Sequence, residues 1–317
     1  MFRSGAYLSK CLASIARQTY GRRRVEVLCI DDGSDDGTVE LAQEVLRSHR
    51  LHGTVTGHAH SGSPASARNT AIDAASGRYL YFVDVDDYLG RDALRSMLRL
   101  ADREQADIVV GKYVGVGRSV PRVMFSRTLA RTDVITTPVT DSMSVLKMYR
   151  TAYARSLGYR FNPGLRMAED HPFAMAAYTQ TDRVAIQASV NCYYWVKHTS
   201  AAAAAQHLTG HVLPVDEFYA YFFEVFGVLD GVAETHAQLV EWARRRYWQR
   251  LYQFDLPNEA RRDRDEAGRR ESILMAQRIM ASHGGIEVEG LSAKARAMRR
   301  ALLLGDSEMV EAIARLI

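Results

Sequence analysis

Residues 79–87, YLYFVDVDD, decide the fold of this chain. An apolar run of strand type ends at Val83, and three carboxylates follow within four positions. Carboxylates this close repel one another, and stripping them of water is costly. A divalent cation relieves the repulsion, and Mg²⁺ or Mn²⁺ suits a cluster of hard oxygen ligands. The alternative is an acidic turn that caps the next helix, and Asp-x-Asp alone does not decide between the two.

A second acidic segment follows another strand of the same type. Residues 25–30, VEVLCI, are typical of a buried strand. Residues 31–38, DDGSDDGT, come directly after it and precede a helix whose apolar residues share one face. In a doubly wound sheet, ligands bind beyond the carboxyl ends of the strands. We therefore expect the two acidic segments to face one crevice.

A loop of small residues lies between the two acidic segments. Residues 61–69, SGSPASARN, lead into another helix. Small side chains allow the backbone to approach a ligand closely, and a helix N-terminus attracts phosphate. Arg68 adds a forked guanidinium cation. This loop is therefore predicted to contact a phosphorylated ligand.

Together these segments resemble glycosyltransferase family 2, the inverting enzymes of GT-A fold that use nucleotide-sugars. The resemblance spans roughly residues 2–200, and it includes a Glu-Asp pair that opens a helix further along the chain. It implies an α/β fold with a Rossmann-like, mostly parallel sheet flanked by helices. From about Pro214 onward, helical periodicity without a strand signal predicts an all-helical C-terminal region. The matching motifs are Asp31–Ser34, Ala67–Asn69, Asp84–Asp87 and Glu169-Asp170.

The resemblance also implies a role for each matching residue. Asp86, assisted by Asp84, is expected to bind Mn²⁺ or Mg²⁺, which would neutralise the leaving diphosphate. Asp170 is expected to be the general base on the acceptor hydroxyl, with Glu169 beside it. A structural alternative for this pair is an acidic helix N-terminus that complements the helix dipole. The residues implied to bind the nucleotide-sugar are Asp31, Asp32, Arg68, Asp84, Val85 and Asp86, where Asp32, or instead Asp31, accepts a hydrogen bond from the base.

A narrower resemblance, to the wall teichoic acid glycosyltransferases, concerns the acceptor. It implies transfer of a sugar, from a UDP-sugar such as UDP-GlcNAc, to a polyol-phosphate polymer or another surface glycan. Arg118 and Arg122 fall within it and are expected to bind acceptor phosphates, with solvated loop arginines as the alternative. His198 is a third acceptor candidate. The resemblance rests on Ser61–Pro64, Gly115–Phe125, Met167–Tyr178 and the helical end of the chain.

The chain departs from the family pattern at its start. Family members have a strand immediately before the helix predicted at Ser4–Gln18, and here only three residues precede that helix. The GT-A sheet is therefore expected to lack its N-terminal strand and to have a gap beside residues 25–30. We expect a glycosyltransferase domain at residues 1–205 and a helical region at 206–317. The alanine run at residues 201–205 would join them.

Composition indicates the cellular location of such a protein and the class of its partners. A hydrophobic content of 47% supports a large core, and no apolar run is long enough to cross a bilayer. Three cysteines without metal-type spacing favour a reducing compartment, which indicates the cytoplasm or the inner face of the membrane. The net charge of +4 favours an anionic polymer or peripheral attachment to a membrane surface over nucleic acid. No sequence signal indicates an oligomeric state.

Two other classes of protein fit part of the pattern. Another Mg²⁺-dependent nucleotide-using transferase would also cluster aspartates, but it would need a Gly-rich phosphate loop with Lys or Arg near the first strand. The other is a truncated, non-catalytic remnant that binds a sugar or polymer, which the expected loss of a strand favours.

Overall fold

The computed structural model describes residues 1–198 and 212–317. The chain divides into two units, Met1–Gly164 with Glu169–Ala204 and Leu165–Ala168 with Ala205–Ile317. The alanine run at residues 201–205 and the predicted domain boundary after residue 205 lie outside the described residues.

The first unit is an α/β structure, which confirms the predicted fold class. Helices and strands alternate in its N-terminal part, as the sequence pattern predicts. The cysteines Cys11, Cys29 and Cys192 are free and buried. The helices are α1 (Gly5–Ala16), α2 (Thr38–Ser48), α3 (Pro64–Ala74), α4 (Ala93–Glu104), α5 (Thr151–Ser156) and α6 (Asp170–Thr179). The strands are β1 (Glu26–Asp31), β2 (His52–Gly57), β3 (Tyr79–Tyr81), β4 (Tyr88–Leu89), β5 (Ile108–Val116), β6 (Leu129–Thr132), β7 (Met148–Arg150) and β8 (Val184–Val196).

The described strands form two hydrogen-bonded groups. β1 and β2 pair in parallel along their whole length. The other six strands form one sheet in the order β3-β7-β5-β8-β4, and β6 pairs with β8. The long ladder between β5 and β8 is parallel, whereas the shorter ladders of this sheet are antiparallel. The two longest ladders of the unit are therefore parallel, and antiparallel strands are added around them.

The second edge of β1 contacts the first residue of the chain. The amino group of Met1 donates a hydrogen bond to the carbonyl of Ile30 at 2.6 Å. The amide of Asp32 donates to the carbonyl of Met1 at 2.7 Å. Two such bonds to alternate residues have the pattern of a parallel bridge. Among the described residues, no strand of the larger sheet pairs with β1, so β1 and β2 form a two-stranded sheet of their own.

An aromatic cluster, which we call the Phe82 cluster, fills the core of the first unit. It consists of Phe82, Tyr149, Phe161 and Phe173, all of them buried. Phe161 and Phe173 stack with centroids 4.3 Å apart, and Phe82 meets both of them edge-on. Edge-to-face and stacked pairs add about 0.5–1.5 kcal/mol each to the energy of burial. The cluster joins the strand that ends before Asp84 to the helix that begins at Asp170.

The second unit contains helices and no strand among its described residues, as predicted. A π-helical turn at Leu251–Asp255 interrupts its helices. Its core contains a stack in which Trp248 lies between Phe226, at 4.7 Å, and Tyr252, at 5.3 Å. No described helix of the chain combines the length and apolar character required to cross a bilayer. The helices are α7 (Val215–Val232), α8 (Ala237–Arg250), α9 (Leu256–Ala260), α10 (Glu266–Ser282), α11 (Ala293–Leu304) and α12 (Ser307–Leu316).

Candidate active site

The first acidic segment forms a tight turn at the carboxyl end of β1. The buried carboxylate of Asp31 accepts hydrogen bonds from the amide of Ser34 at 2.7 Å and from its hydroxyl at 2.6 Å. Gly33 has a φ of 78°, and a Cβ there would meet the backbone nitrogen of His60 at 2.6 Å. The turn therefore requires glycine for both its conformation and its space. The carboxylate of Asp31 is therefore engaged in holding this turn.

Asp32 ties this turn to the loop of small residues. Its Oδ1 accepts from the amide and the hydroxyl of Ser61, at 2.9 and 2.7 Å, and its Oδ2 accepts from the amide of Gly62 at 3.2 Å. Burial acts to raise the pKa of Asp32, but these hydrogen bonds outweigh it and hold the pKa below its usual value. Asp32 is therefore a fixed carboxylate. Ser63 then caps α3 by accepting from the amide of Ala65.

The second acidic segment places three carboxylates together. One oxygen of each of Asp84, Asp86 and Asp87 lies within 4.8 Å of the others. The amide of Asp87 donates to the carbonyl of Asp84 at 3.1 Å and closes a turn, in which Val85 is half-buried. Burial, together with the charge of Asp84, raises the pKa of Asp87 to about 8. The segment thus keeps one carboxyl group inside the protein and leaves two facing outward.

The inner carboxyl group is bound by the end of β8. Asp87 accepts from the hydroxyl of Tyr193 at 2.7 Å and from the amide of Val196 at 2.7 Å. The Tyr193 hydroxyl in turn accepts from the amide of Asp84 at 3.1 Å. Because Asp87 is engaged in this way, the carboxylate oxygens of Asp84 and Asp86 are the ones that suit a hard divalent cation. The donor set therefore fits Mn²⁺ or Mg²⁺ at these two residues.

Arg68 lies between the two groups of acids that the sequence places far apart. Its guanidinium forms an ion pair with Glu169 and lies 3.4 Å from Asp84. It also lies over the ring of Phe161, 5.6 Å from the centroid. The charge of Glu169 and that of Asp84 offset the cost of burying Arg68 and raise its pKa above the usual value. Arg68 is therefore a fixed cation beside the candidate metal ligands.

Glu169 and Asp170 open α6, as the sequence predicts. All residues of this helix after Asp170 are buried, so half-buried Asp170 is the one residue of the helix that remains accessible. Ala168, directly before the pair, has a φ of 51°, a conformation that costs a residue with a side chain on the order of 1–3 kcal/mol. Burial and the charge of Glu169 raise the pKa of Asp170 to about 7. A carboxyl group with such a pKa is suited to accept a proton near neutral pH.

The predicted acceptor residues occupy different environments. Arg118 lies over the ring of Trp195, 3.8 Å from its centroid, and the charges of Asp87, Asp86 and Asp84 act on it. His198 lies with its Nε2 3.0 Å from the carbonyl oxygen of Asp86. The structure thus brings Arg118 and His198 to the second acidic segment. Arg122 is exposed beside a short 3₁₀ helix and has no comparable contact with that segment among the described residues.

Sequence reasoning missed two buried residues of this site. Tyr193 lies on β8, and its hydroxyl connects Asp84 with Asp87. Lys147 lies just before β7 and is fully buried, and its charge acts on Asp170. A lysine amid apolar residues, as in Val145-Leu146-Lys147-Met148, is the signal that could have identified it.

The α/β unit, with acidic segments after two of its strands, has a GT-A type of fold, and the C-terminal region of the chain is helical. The crystal structure of Staphylococcus aureus TarS 1-349 in complex with UDP-GlcNAc has this fold. The two agree with a TM-score of 0.86 at 22% sequence identity, over 99% of this chain and 88% of that chain. The chain belongs to the glycosyl transferase family 2, whose family model matches residues 1–158.

Two relatives of known name extend the match beyond residue 158. The poly(ribitol-phosphate) beta-glucosyltransferase of Bacillus spizizenii is 28% identical over 230 residues, which is 72% of this chain and 36% of that protein. The poly(ribitol-phosphate) beta-N-acetylglucosaminyltransferase TarS of Staphylococcus aureus is 29% identical over 219 residues, 69% of this chain and 37% of that protein. The chain thus spans little more than a third of the length of these relatives.

Proposed function

We propose that this protein is a metal-dependent, inverting glycosyltransferase that moves a sugar from a UDP-sugar to a hydroxyl group of a polyol-phosphate polymer. The single observation that carries the proposal is the position of Arg68 between Glu169 and Asp84. It joins the acids suited to a metal with the acids suited to proton transfer. The names of the two relatives support the acceptor class, because both act on poly(ribitol phosphate).

In this proposal each group has one task. Asp32 accepts a hydrogen bond from the base, and the loop it holds contacts the nucleotide. Asp84 and Asp86 would hold Mn²⁺ or Mg²⁺, and the cation supplies positive charge for the diphosphate that leaves. Arg68 adds a fixed positive charge in the same place. Asp170 takes the proton from the acceptor hydroxyl, which attacks the sugar in one displacement with inversion.

The proposal places the acceptor beside Arg118. Its guanidinium is stacked on Trp195 and lies near the acids of the metal-binding segment. Stacking fixes the plane of the guanidinium, so its outward N–H groups are ready to bind a phosphate. His198 would border the same space.

The test is transfer from UDP-GlcNAc to poly(ribitol phosphate) in the presence of Mn²⁺, measured as released UDP and as sugar on the polymer. Asp170→Asn is nearly isosteric and should keep UDP binding, but it should lower turnover by about 10²–10⁴-fold, which is the usual contribution of a general base. Asp182→Asn, at an exposed ion pair, is the matched control and should keep full turnover.

Three results would contradict the proposal or its assignment of roles. If Asp170→Asn turns over like the wild type, Asp170 is not the base; if Glu169→Gln is far worse, the two roles are exchanged. If the wild type binds UDP-GlcNAc but releases no UDP with any acceptor, the protein is a non-catalytic binding remnant.

A further inference from the structure

Asn69 completes the Ala67–Asn69 motif, and the proposed mechanism gives it no task. It follows Arg68 on α3 and is half-buried. Its Nδ2 donates a hydrogen bond to the carbonyl of Phe161 at 2.8 Å, and its Oδ1 accepts one from the amide of the same residue at 3.0 Å. An asparagine side chain carries a donor and an acceptor at one end, so it can bind both backbone groups of one residue. We call these two bonds the Asn69 clamp.

The Asn69 clamp acts on a segment that has no regular structure of its own. Phe161 lies within residues 157–169, between α5 and α6, where the chain forms neither helix nor strand. Phe161 is buried, and buried backbone groups outside helices and sheets need partners from elsewhere in the chain. Both partners come from a residue 92 positions away. The Asn69 clamp therefore fixes the backbone of Phe161 against helix α3.

The ring of Phe161 in turn contacts the groups that form the site. It lies beneath the guanidinium of Arg68, with the central carbon 5.6 Å from the ring centroid. It also stacks on Phe173 of α6 at 4.3 Å and meets Phe82 edge-on at 5.7 Å. A backbone that is held by Asn69 thus carries the ring on which Arg68 rests.

We propose that Asn69 positions Arg68: the Asn69 clamp holds the Phe161 ring against the guanidinium and keeps this cation at the place where the leaving diphosphate develops charge. The inference deepens the proposed function and rests on it for the role of Arg68. The amide oxygen and nitrogen of Asn69 are both engaged with Phe161, so Asn69 acts through Arg68 and is not a catalytic residue.

The ion pairs of Arg68 do not replace this support. Its two partners are Glu169 and Asp84. The proposed mechanism assigns Asp84 to the metal and places Glu169 beside the base, so the surroundings of both carboxylates change when substrates bind. The Phe161 ring is neutral and keeps its contacts in every charge state. A guanidinium stacks well on an aromatic face, which limits its motion without occupying its N–H groups.

Helix α3 is also held at its other end, away from Arg68, and this provides a matched control. Arg155, on α5, donates hydrogen bonds of 2.8 to 3.0 Å to three carbonyls at the end of the helix, those of Ile72, Asp73 and Ala75. Arg155→Ala therefore loosens the same helix and leaves the Asn69 clamp in place. It separates a general loss of helix packing from a specific effect on Arg68.

The experiment is a double-mutant cycle on the affinity for UDP, measured by titration calorimetry with Mn²⁺ present. Arg68→Ala should weaken UDP binding by about 10–100-fold, because a hydrogen bond to a charged group contributes roughly that factor. Asn69→Ala keeps the guanidinium and loses its support, so it should cost a part of that factor, about 3–10-fold. In the Arg68→Ala background, Asn69→Ala should change the affinity by less than about twofold, because there is no guanidinium left to position.

Arg155→Ala should bind UDP as the wild type does. The inference is overturned if Asn69→Ala also binds like the wild type, or if it costs the same factor with and without Arg68, as a merely structural residue would. An equal loss from Arg155→Ala would overturn it as well. If Asn69→Ala does not fold, Asn69→Leu repeats the cycle, since leucine is similar in size, suits a helix and removes both bonds.

Turnover distinguishes this inference from the proposed function. A fixed group that stabilises developing charge contributes about 10²–10³-fold to kcat, so a less well fixed Arg68 in Asn69→Ala should lower kcat for transfer from UDP-GlcNAc by about tenfold. Arg155→Ala should keep the wild-type kcat. If the cycle on UDP affinity holds in a protein that transfers no sugar, the positioning role of Asn69 stands and the assignment as a transferase fails. If sugar is transferred and the cycle shows independent effects, the inference alone fails.

Discussion

Tyr193→Phe should destabilise the first unit through the second acidic segment. The lost hydroxyl accepts from the amide of Asp84 at 3.1 Å and donates to Asp87 at 2.7 Å. A buried polar group left without a partner costs about 1–3 kcal/mol, and a partly exposed one costs less because water replaces the bond. Asp87 is buried and Asp84 is half-exposed, so the two losses together come to about 2–4 kcal/mol.

Differential scanning calorimetry measures this effect directly. For 150–250 residues, about 1 kcal/mol shifts the Tm by roughly 2–4 °C, so Tyr193→Phe should lower the transition by roughly 5–15 °C. Tyr194→Phe is the control, because Tyr194 is adjacent on the same strand but half-buried and stacked on Tyr88 at 4.6 Å. It should change the free energy of unfolding by less than about 0.5 kcal/mol. Equal Tm values for the two variants would refute this account of how the acidic segment is held.

Three further variants test the ligand contacts. Asp86→Ala should lose Mn²⁺-dependent UDP binding in titration calorimetry yet keep its Tm without metal, whereas Asp102→Ala, at an exposed ion pair, should keep both. Gly33→Ala should weaken UDP binding more than Gly37→Ala. Both glycines have a positive φ, but only at Gly33 would a Cβ meet backbone, and equal affinities would count against this difference. Arg118→Ala should raise the KM for the polymer about tenfold with kcat little changed, since a hydrogen bond to a charged group contributes ~1.5–3 kcal/mol and 1.4 kcal/mol is tenfold. An unchanged KM would remove Arg118 from the acceptor site.

Those parts of the site that depend on neighbours in sequence were predictable. The aspartates after β1 and β3 directly follow apolar strands, and ligands of an α/β protein bind beyond the carboxyl ends of its strands. Gly33 is required by a turn of four residues, and Arg68 stands in the first turns of a helix. In each case the chemistry and the local structure are set by the same short segment.

The supporting contacts depend on packing between distant segments and were not predictable. Tyr193 and Asp84 are 109 residues apart, and only the pairing of β8 with β4 and β5 brings the hydroxyl to that amide. The stack of Arg118 on Trp195 likewise requires the parallel ladder between β5 and β8. Lysine is a residue type usually found at the surface. Lys147 is buried because it directly precedes β7, which lies inside the sheet between β3 and β5.

The Phe82 cluster makes the assembly of the site part of global folding. Phe82 is two residues before Asp84, Phe173 is three residues after Asp170, and Phe161 lies under Arg68. Local opening at Asp84, at Asp170 or at Arg68 would have to break ring contacts that also hold the other two, so these three residues belong to one cooperative unit with the core. Loss of activity and loss of tertiary structure should therefore coincide along a denaturant gradient, without a populated state in which the core persists and the carboxylates have separated.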